Sequence, residues 1–288
     1  MRQEHHGRVG LRICKQKEIT VMKFGLLGAK LGHSLSPQIH QEVFRQLGIT
    51  ASYELIEVPG EKLADKVKEL RKTFRGLNVT IPHKVAVMQS LDLIAPEAQA
   101  IGAVNTILFK GEQAAGFNTD YFGFARLLEH NHLVPEGKVV CVLGTGGASR
   151  AILQCVKDMQ AKRITVITRR IENAPEDIRS HYDVKTYEEL RTMGGDLLIN
   201  CTPVGMYPNI DASPVDASVM EKFAAAVDII YNPAETLFMK LALQQGKPAA
   251  NGLYMLVAQA VAADEIWLER KLDSGLIADV TGKIAKLL

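Results

Sequence analysis

From residue 22 onward, short apolar runs alternate with amphipathic stretches of about ten to fifteen residues. The runs KFGLLG, SYELIEV, GLNVTIP, VNTILFK, KVVCVLG, RITVIT, DLLINCT and AAVDIIY read as strands. Between them, PQIHQEVFRQLG and EKLADKVKELRKTF read as helices, and in the second Leu63, Val67 and Leu70 recur at helical spacing. Alternation of this kind predicts an α/β fold of βαβ units, with mostly parallel sheets covered by helices. No short internal repeat and no low-complexity segment interrupts it. After Asn251 the pattern is helical throughout, and this tail is too short for a domain of its own. It is expected to pack back across the rest of the chain.

The 288 residues suffice for about two domains. A break is expected near residue 120, where HNHLVPEGKVVCVLGTGGASR starts a fresh unit and DYFGFARLLEH bridges the halves. The expected division is 22–119 with 253–288 as one lobe and 120–252 as the other. The first 21 residues stand apart, with five basic side chains, two acidic ones and no long apolar core. They lack the hydrophobic region of a signal peptide, and Glu4 and Glu18 are unusual in a transit peptide. Met22 is the expected functional start, with 1–21 a leader outside the fold.

A hydrophobic content of 47%, a charged content of 23% and a net charge of +2 suit a soluble globular protein with no nucleic-acid or anionic-membrane partner. The longest nearly uncharged run, NGLYMLVAQAVAA, is too short to span a bilayer and reads as a buried helix. The four cysteines form no CxxC pair, and three lie in apolar segments, as packed reduced thiols in a cytoplasmic protein would. The sequence carries no signal for an oligomeric state.

VVCVLGTGGASRAILQCV is a strand, a glycine-rich turn and a helix. Gly144 permits the tight turn, Gly146 allows backbone to approach a pyrophosphate, and the helix N-terminus offers N–H groups to phosphate. Ser149 stands where the third glycine of GxGxxG would be. A dinucleotide is therefore the expected cofactor. The next strand decides which one, because NAD-binding units end it in an acid that takes the ribose 2′-hydroxyl. Here it ends in Thr168, Arg169 and Arg170. Arginine grips a 2′-phosphate where an acid would repel it, so NADP is predicted, with Arg150 able to reach the same place. Arg170 reads equally well as a solvated surface residue.

Polar side chains also cluster where first-lobe strands end. Ser34 and Ser36 follow the first strand; Asn78, Thr80 and Lys84 a later one. Asn105 and Thr106 lie in GAVNT, and Asn118, Thr119 and Asp120 in GFNTD. Ligands bind outside the carboxyl ends of strands in open α/β sheets, and this set suits a small polyhydroxylated acid. Each residue also has a plainer reading. Ser36 before Pro37 makes a helix cap, Asn105 and Asn118 stabilise turns, and Asp120 caps the helix that follows.

These motifs together resemble the shikimate dehydrogenase family: S-x-S-P at 34–37, N-V-T-x-P-x-K at 78–84, G-A-V-N-T at 102–106, N-T-D at 118–120, G-x-G-G-A-x-R at 144–150, V-G-M at 204–206, YNPAET at 231–236 and NGLYMLVAQA at 251–260. The resemblance implies an N-terminal α/β substrate domain, a Rossmann-type NADP-binding domain, a cleft between them, and C-terminal helices packing on the first lobe. It implies reversible NADPH-dependent reduction of 3-dehydroshikimate to shikimate, on the route to chorismate and aromatic amino acids. By resemblance Lys84 and Asp120 carry catalysis, while Ser34, Ser36, Thr80, Asn105 and Gln259 hold the acid and Tyr231 lies near both ligands. Gly144, Thr145, Gly146, Gly147, Ala148, Ser149, Arg150, Thr168, Arg169, Arg170, Ile229 and Gly252 would line the cofactor. The chain departs from the family at the second strand tip, where Asn-Arg-Thr is common and this chain has Thr168, Arg169 and Arg170, keeping the arginine, and at Tyr254, where many members have glycine.

Hydride transfer to a ketone needs a proton for the oxygen as it becomes an alkoxide. The sequence has no HExxH and no paired cysteines to hold zinc. Lys84 can supply the proton, with Asp120 orienting it and favouring the charged ammonium. His83 reads as a surface or turn residue. Two rival readings share the scaffold: a quinate/shikimate dehydrogenase with relaxed cofactor use, and a non-catalytic NADP-binding regulator.

Overall fold

The computed structural model describes residues 21–32 and 34–288. The leader expected for residues 1–21 lies, save for Val21, outside the described residues. Within them, twelve strands form two six-stranded sheets.

The first sheet holds β1 (Met22–Gly28), β2 (Ala51–Glu57), β3 (Gly76–Val79), β4 (Leu93–Ile94), β5 (Thr106–Lys110) and β6 (Gln113–Phe117), in the order β2-β1-β3-β5-β6-β4. It is mostly parallel, as expected, with β1–β2, β1–β3 and β4–β6 paired in parallel; the exception is β5, which runs antiparallel to both β3 and β6. The reversal is local. β5 and β6 are joined by Gly111 and Glu112 alone, and Gly111 takes the positive φ of 59° that a two-residue hairpin turn requires. Alternation along the strands then feeds two cores. Leu27, Leu77, Val79 and Ile107 pack on Leu63, Val67 and Leu70 of the helix Leu63–Leu70. Phe24 and Leu26 pack on the opposite face with Phe44 and Trp267.

The second sheet holds β7 (Val139–Leu143), β8 (Arg163–Thr168), β9 (Asp183–Thr186), β10 (Gly195–Asn200), β11 (Phe223–Asp228) and β12 (Ala249–Ala250). Its order, β12-β11-β10-β7-β8-β9, is wholly parallel and matches the doubly wound dinucleotide-binding arrangement. Both faces are covered, so the strands are apolar on both sides. Val140 and Val142 belong to one core, and Cys141 and Leu143 to the other. The cysteines at 141, 155 and 201 are buried and unpaired. Burial pushes the thiols of Cys141 and Cys155 up to about 12, which leaves them as packing groups.

The helix Thr119–His130 crosses between the sheets, and the tail forms the helices Leu253–Leu268 and Gly275–Ile284. The tail helices meet the helix Ser36–Leu47 through Ile39 and Val43, and Trp267 stacks on Phe24 with ring centroids 4.7 Å apart. Met255, near the start of the first tail helix, belongs instead to the core of the second sheet. The tail therefore touches both lobes, as its length suggested. No helix among the described residues is long and apolar enough to cross a membrane.

Candidate active site

The antiparallel strand explains why the polar motifs converge. β1, β3 and β6 share one direction and β5 opposes them, so three C-terminal ends and one N-terminal end meet at a single edge. Ser34 and Ser36 follow β1, Thr80 and Lys84 follow β3, Asn118 to Asp120 follow β6, and Asn105 immediately precedes β5.

Lys84 lies in the short helix His83–Ala86, and its carbonyl accepts a hydrogen bond from Val104 N–H at 2.8 Å. Its Nζ donates to Asp120 Oδ2 at 2.7 Å, with the two side chains only 20% and 14% exposed. Asp120 sits in the first turn of the helix Thr119–His130, where the positive end of the helix dipole favours a carboxylate. It is not the cap, since Asn118 holds that position and turns its amide to the Ala103 carbonyl at 2.9 Å.

Asn105 has its orientation fixed from behind. Its Oδ1 accepts from Thr119 N–H at 2.7 Å and lies 3.0 Å and 3.1 Å from the hydroxyls of Thr106 and Thr119. What it offers to the cavity is the amide nitrogen. Gln259 spends one N–H on the Leu256 carbonyl at 2.9 Å and accepts from Thr119 Oγ1 at 3.4 Å, which leaves its second N–H free to donate. Ser34 and Ser36 are joined hydroxyl to hydroxyl at 3.1 Å, and Ser34 Oγ also accepts the Ser36 backbone N–H. Ser36 begins its helix, but its side chain makes no capping bond.

These groups surround a cavity of about 290 Å³ lined by Ser34, Ser36, Thr80, Lys84, Asn105, Asp120, Tyr231 and Gln259, with Ala148, Ile229 and Gly252 on the wall toward the second sheet. All eight substrate-side residues named from the sequence are thus brought together. A neighbouring cavity of about 450 Å³ shares Ile229 and Tyr231 and continues past Gly146 and Gly147 to Cys201 and Thr202. Tyr231 stands where the two spaces meet, and burial holds its phenol above the usual range, so it stays a hydroxyl donor at neutral pH.

The glycine turn faces this second space. Gly144 has φ of 93°, and a Cβ there would come within 2.8 Å of Thr202. The loops after β7 and β10 therefore abut at the point where strand order reverses, the usual place for a dinucleotide. A Cβ at Gly146 or Gly147 would meet no protein atom closer than 3.6 Å, so both backbones lie open to a ligand. Ser149 is buried, and its hydroxyl donates to the Gly146 carbonyl at 2.6 Å, a bond that a third glycine could not make. Thr145 and Ala148 complete the turn, and the helix Ser149–Asp158 leaves it. Thr168 ends β8, with Arg169 and Arg170 exposed just beyond. Arg150 donates to Asp177 Oδ1 at 3.0 Å, so a phosphate would have to compete with that carboxylate for it. These residues fit NADP: open glycine backbone suits a pyrophosphate, and exposed arginines at the β8 tip suit a 2′-phosphate.

One expectation changes. His83 is buried rather than exposed, and its Nε2 bonds the Val58 carbonyl at 2.8 Å. Tyr254, the family departure noted above, stacks on His130 with ring centroids 4.0 Å apart and lines neither cavity described above. The sequence reading passed over the apolar cavity walls at Leu26, Val79, Met255 and Leu256. It also passed over a buried polar group behind the cavity, His40, Tyr53 and Asp264. Its only sequence signal is a histidine and an aspartate on otherwise apolar helix faces.

Comparison with known proteins points to one family. The family model described as the shikimate dehydrogenase substrate binding domain matches residues 26–107. A curated relative in Clostridium beijerinckii, named shikimate dehydrogenase (NADP(+)), is 44% identical over 256 residues, covering 88% of this chain and 94% of that protein. The crystal structure of a chorismate mutase/shikimate 5-dehydrogenase fusion protein from Clostridium acetobutylicum superposes with a TM-score of 0.89 at 46% identity, covering 93% of this chain and 98% of that one. Shikimate 5-dehydrogenase from Thermus thermophilus, solved in complex with NADP(H) and shikimate, gives a TM-score of 0.82 at 34% identity, covering 91% and 99%. On that identity and coverage, this chain belongs to the shikimate dehydrogenase family.

Proposed function

We propose that this chain is an NADP-dependent oxidoreductase that interconverts 3-dehydroshikimate and shikimate, a step in aromatic amino acid biosynthesis. The observation that carries the proposal is the Lys84–Asp120 pair, 2.7 Å apart, on a cavity whose far wall belongs to the dinucleotide-binding sheet. The same reading divides the chain into a substrate lobe, 22–119 with 253–288, and an NADP lobe, 120–252. Three packed thiols fit a cytoplasmic setting, where they stay reduced.

Bound NADPH supplies the hydride to the ketone carbon, and NADP takes it up in the reverse direction. The remaining work falls to side chains of this chain. Asn105 and Gln259 donate to substrate oxygens, and the Ser34–Ser36 hydroxyl pair and Thr80 complete the cradle. That cradle holds the carbonyl carbon toward the neighbouring cavity, in a pose where reacting atoms lie about 3–3.5 Å apart. Lys84 stabilises the oxygen as negative charge develops and gives it the Nζ proton; neutral Lys84 takes the proton back during oxidation. Asp120 fixes the ammonium direction. At the other end, Arg169 would hold the 2′-phosphate beside Thr168, with the exposed Arg170 next to it.

The intact Lys84–Asp120 pair speaks against a silent regulator, and the absence of an acid at the β8 tip speaks against an NAD-preferring quinate enzyme. The test is NADPH formation from shikimate and NADP, with quinate and NAD run alongside. Turnover with shikimate and NADP, well above the other three pairings, is expected. Tight shikimate binding without turnover would overturn the catalytic assignment.

A further inference from the structure

Exposed apolar side chains are ordinary when scattered and informative when grouped. Val204, Met206, Tyr207 and Ile210 are all exposed, and all lie on the loop that leaves β10. Tyr207 is the most open of the four, at 66%.

The backbone beneath them is well tied. Tyr207 N–H donates to the Asn232 carbonyl at 3.1 Å, Met206 N–H to the Pro203 carbonyl at 3.2 Å and Asn209 N–H to the Met206 carbonyl at 2.9 Å. Gly205 takes φ of 96°, and a Cβ there would come within 2.8 Å of the Ala212 carbonyl oxygen, so the two arms of the loop touch. Where the loop starts, the fully buried Asn200 accepts the Thr202 N–H at 3.0 Å. A fixed loop thus holds out apolar side chains that its own packing does not consume.

Met206 and Tyr207 line the cavity of about 450 Å³ that contains Gly146 and Gly147. The Asn232 bond says where in that cavity Tyr207 sits. Asn232 follows Tyr231, the residue at which this cavity meets the substrate cavity, so Tyr207 belongs to the substrate end. The wall there is apolar, with Pro203, Ile229 and Ile230 beside the two loop residues. A dinucleotide has two flat rings, joined by phosphates and riboses that gain little from an aromatic face. Its adenine carries the phosphorylated ribose and goes with Arg169 at the β8 tip. The ring left for this wall is the nicotinamide, whose reactive carbon must also reach the substrate cavity.

We infer that Tyr207 is a nicotinamide-binding residue: its ring packs on the nicotinamide, with Met206 beside it, and holds the hydride-carrying carbon at the mouth of the substrate cavity. The inference rests on the proposed reading of this cavity as the NADP site. The test is titration calorimetry with two ligands: NADP, and adenosine 2′,5′-bisphosphate, which keeps the adenine and the 2′-phosphate but has no nicotinamide. Tyr207→Ala should weaken NADP about tenfold, in the range of one stacked ring, and leave the bisphosphate within about twofold of wild type. Tyr207→Phe keeps the ring and should recover most of the NADP affinity. Because the ring is exposed, its removal leaves no hole in the core, and retained bisphosphate binding shows that Y207A is folded. Equal weakening of both ligands in Y207A, no weakening of NADP, or a Y207F protein as weak as Y207A would each overturn the inference while leaving the NADP site in place. A wild-type chain that binds neither ligand would overturn the reading of the site itself, and the inference with it.

Discussion

A single methyl group at Gly123 should disturb catalysis more than stability. Gly123 lies one turn after Asp120, where the helices Thr119–His130 and Leu253–Leu268 make their closest approach. A Cβ there would stand 2.8 Å from the Met255 carbonyl oxygen and from Gln259 Cβ, and 2.9 Å from the Gln259 nitrogen. Ordinary contact begins at 3.4 Å, so Gly123→Ala must open the helix pair by about 0.6 Å. Two of those three atoms are backbone, so no rotamer change relieves them. Overpacking of this kind costs roughly 1–3 kcal/mol. Replacing a mid-helix glycine by alanine returns about 1 kcal/mol. The net loss is about 0–2 kcal/mol, or a Tm drop of at most several degrees at about 2–4 °C per kcal/mol.

The active site has no such offset. Asp120 rides on one helix and Gln259 on the other, so the opening moves the lysine's partner relative to a substrate donor. A misplacement near 1 Å costs on the order of a hundredfold in rate. About 0.6 Å should therefore cost roughly tenfold in kcat/KM for shikimate, with NADP affinity unaffected. Thermal denaturation and steady-state kinetics on the same preparation read both numbers. A G123A protein that loses several degrees in Tm yet keeps wild-type kcat/KM would refute the argument, because the helix contact would then be structural only.

Lys84→Ala should lower kcat by about 10²–10⁴, the usual worth of a positioned proton donor, with a smaller change in KM; a raised KM with kcat intact would make Lys84 a binder only. Arg169→Ala should weaken NADP(H) about tenfold to a hundredfold, from roughly 1.5–3 kcal/mol of charge-assisted bonding, and leave NAD(H) nearly unchanged in titration calorimetry. Asp228 is fully buried between Asn200 and Thr236, and burial pushes its carboxyl from the ordinary 3.8 to about 6, against hydrogen bonds from Thr236, Ile230 and Asn200. A raised carboxyl stabilises the fold below its unfolded value and loses that contribution as pH rises through the folded one. The wild type should thus lose about 3 kcal/mol between roughly pH 4 and pH 6 relative to Asp228→Asn, whose amide keeps the Asn200 and Ile230 contacts. Parallel urea titrations of the two proteins across that range measure the difference, and superimposable pH profiles would refute it.

Long apolar strands were legible in the sequence because burial writes itself into every residue. All eight strand-like runs became strands. The four that were missed are short or poor in branched side chains: LI at 93–94, QAAGF at 113–117, DVKT at 183–186 and AA at 249–250. Their pairing is set by neighbours already in the sheet, which no local pattern encodes. The polar motifs that line the first cavity were legible as a group because they fall at strand ends and together resemble one family, although each alone also read as a cap or a turn. His83 and His40 were not, because a buried histidine looks like a surface one until the atom that receives its hydrogen bond is known. Arg150 could be placed near the cofactor by spacing, but its carboxylate partner lies 27 positions away, on a helix whose docking the sequence does not state.

The chain contains one tryptophan. Trp267 is fully buried under the first sheet and bonds the Ile107 carbonyl through its indole N–H at 2.9 Å. Intrinsic fluorescence is therefore a private gauge of one half of the molecule. Melting of the dinucleotide half would pass unseen by the indole while registering fully in far-ultraviolet circular dichroism. Recording both signals through one denaturant series would show whether the halves come apart together or in turn.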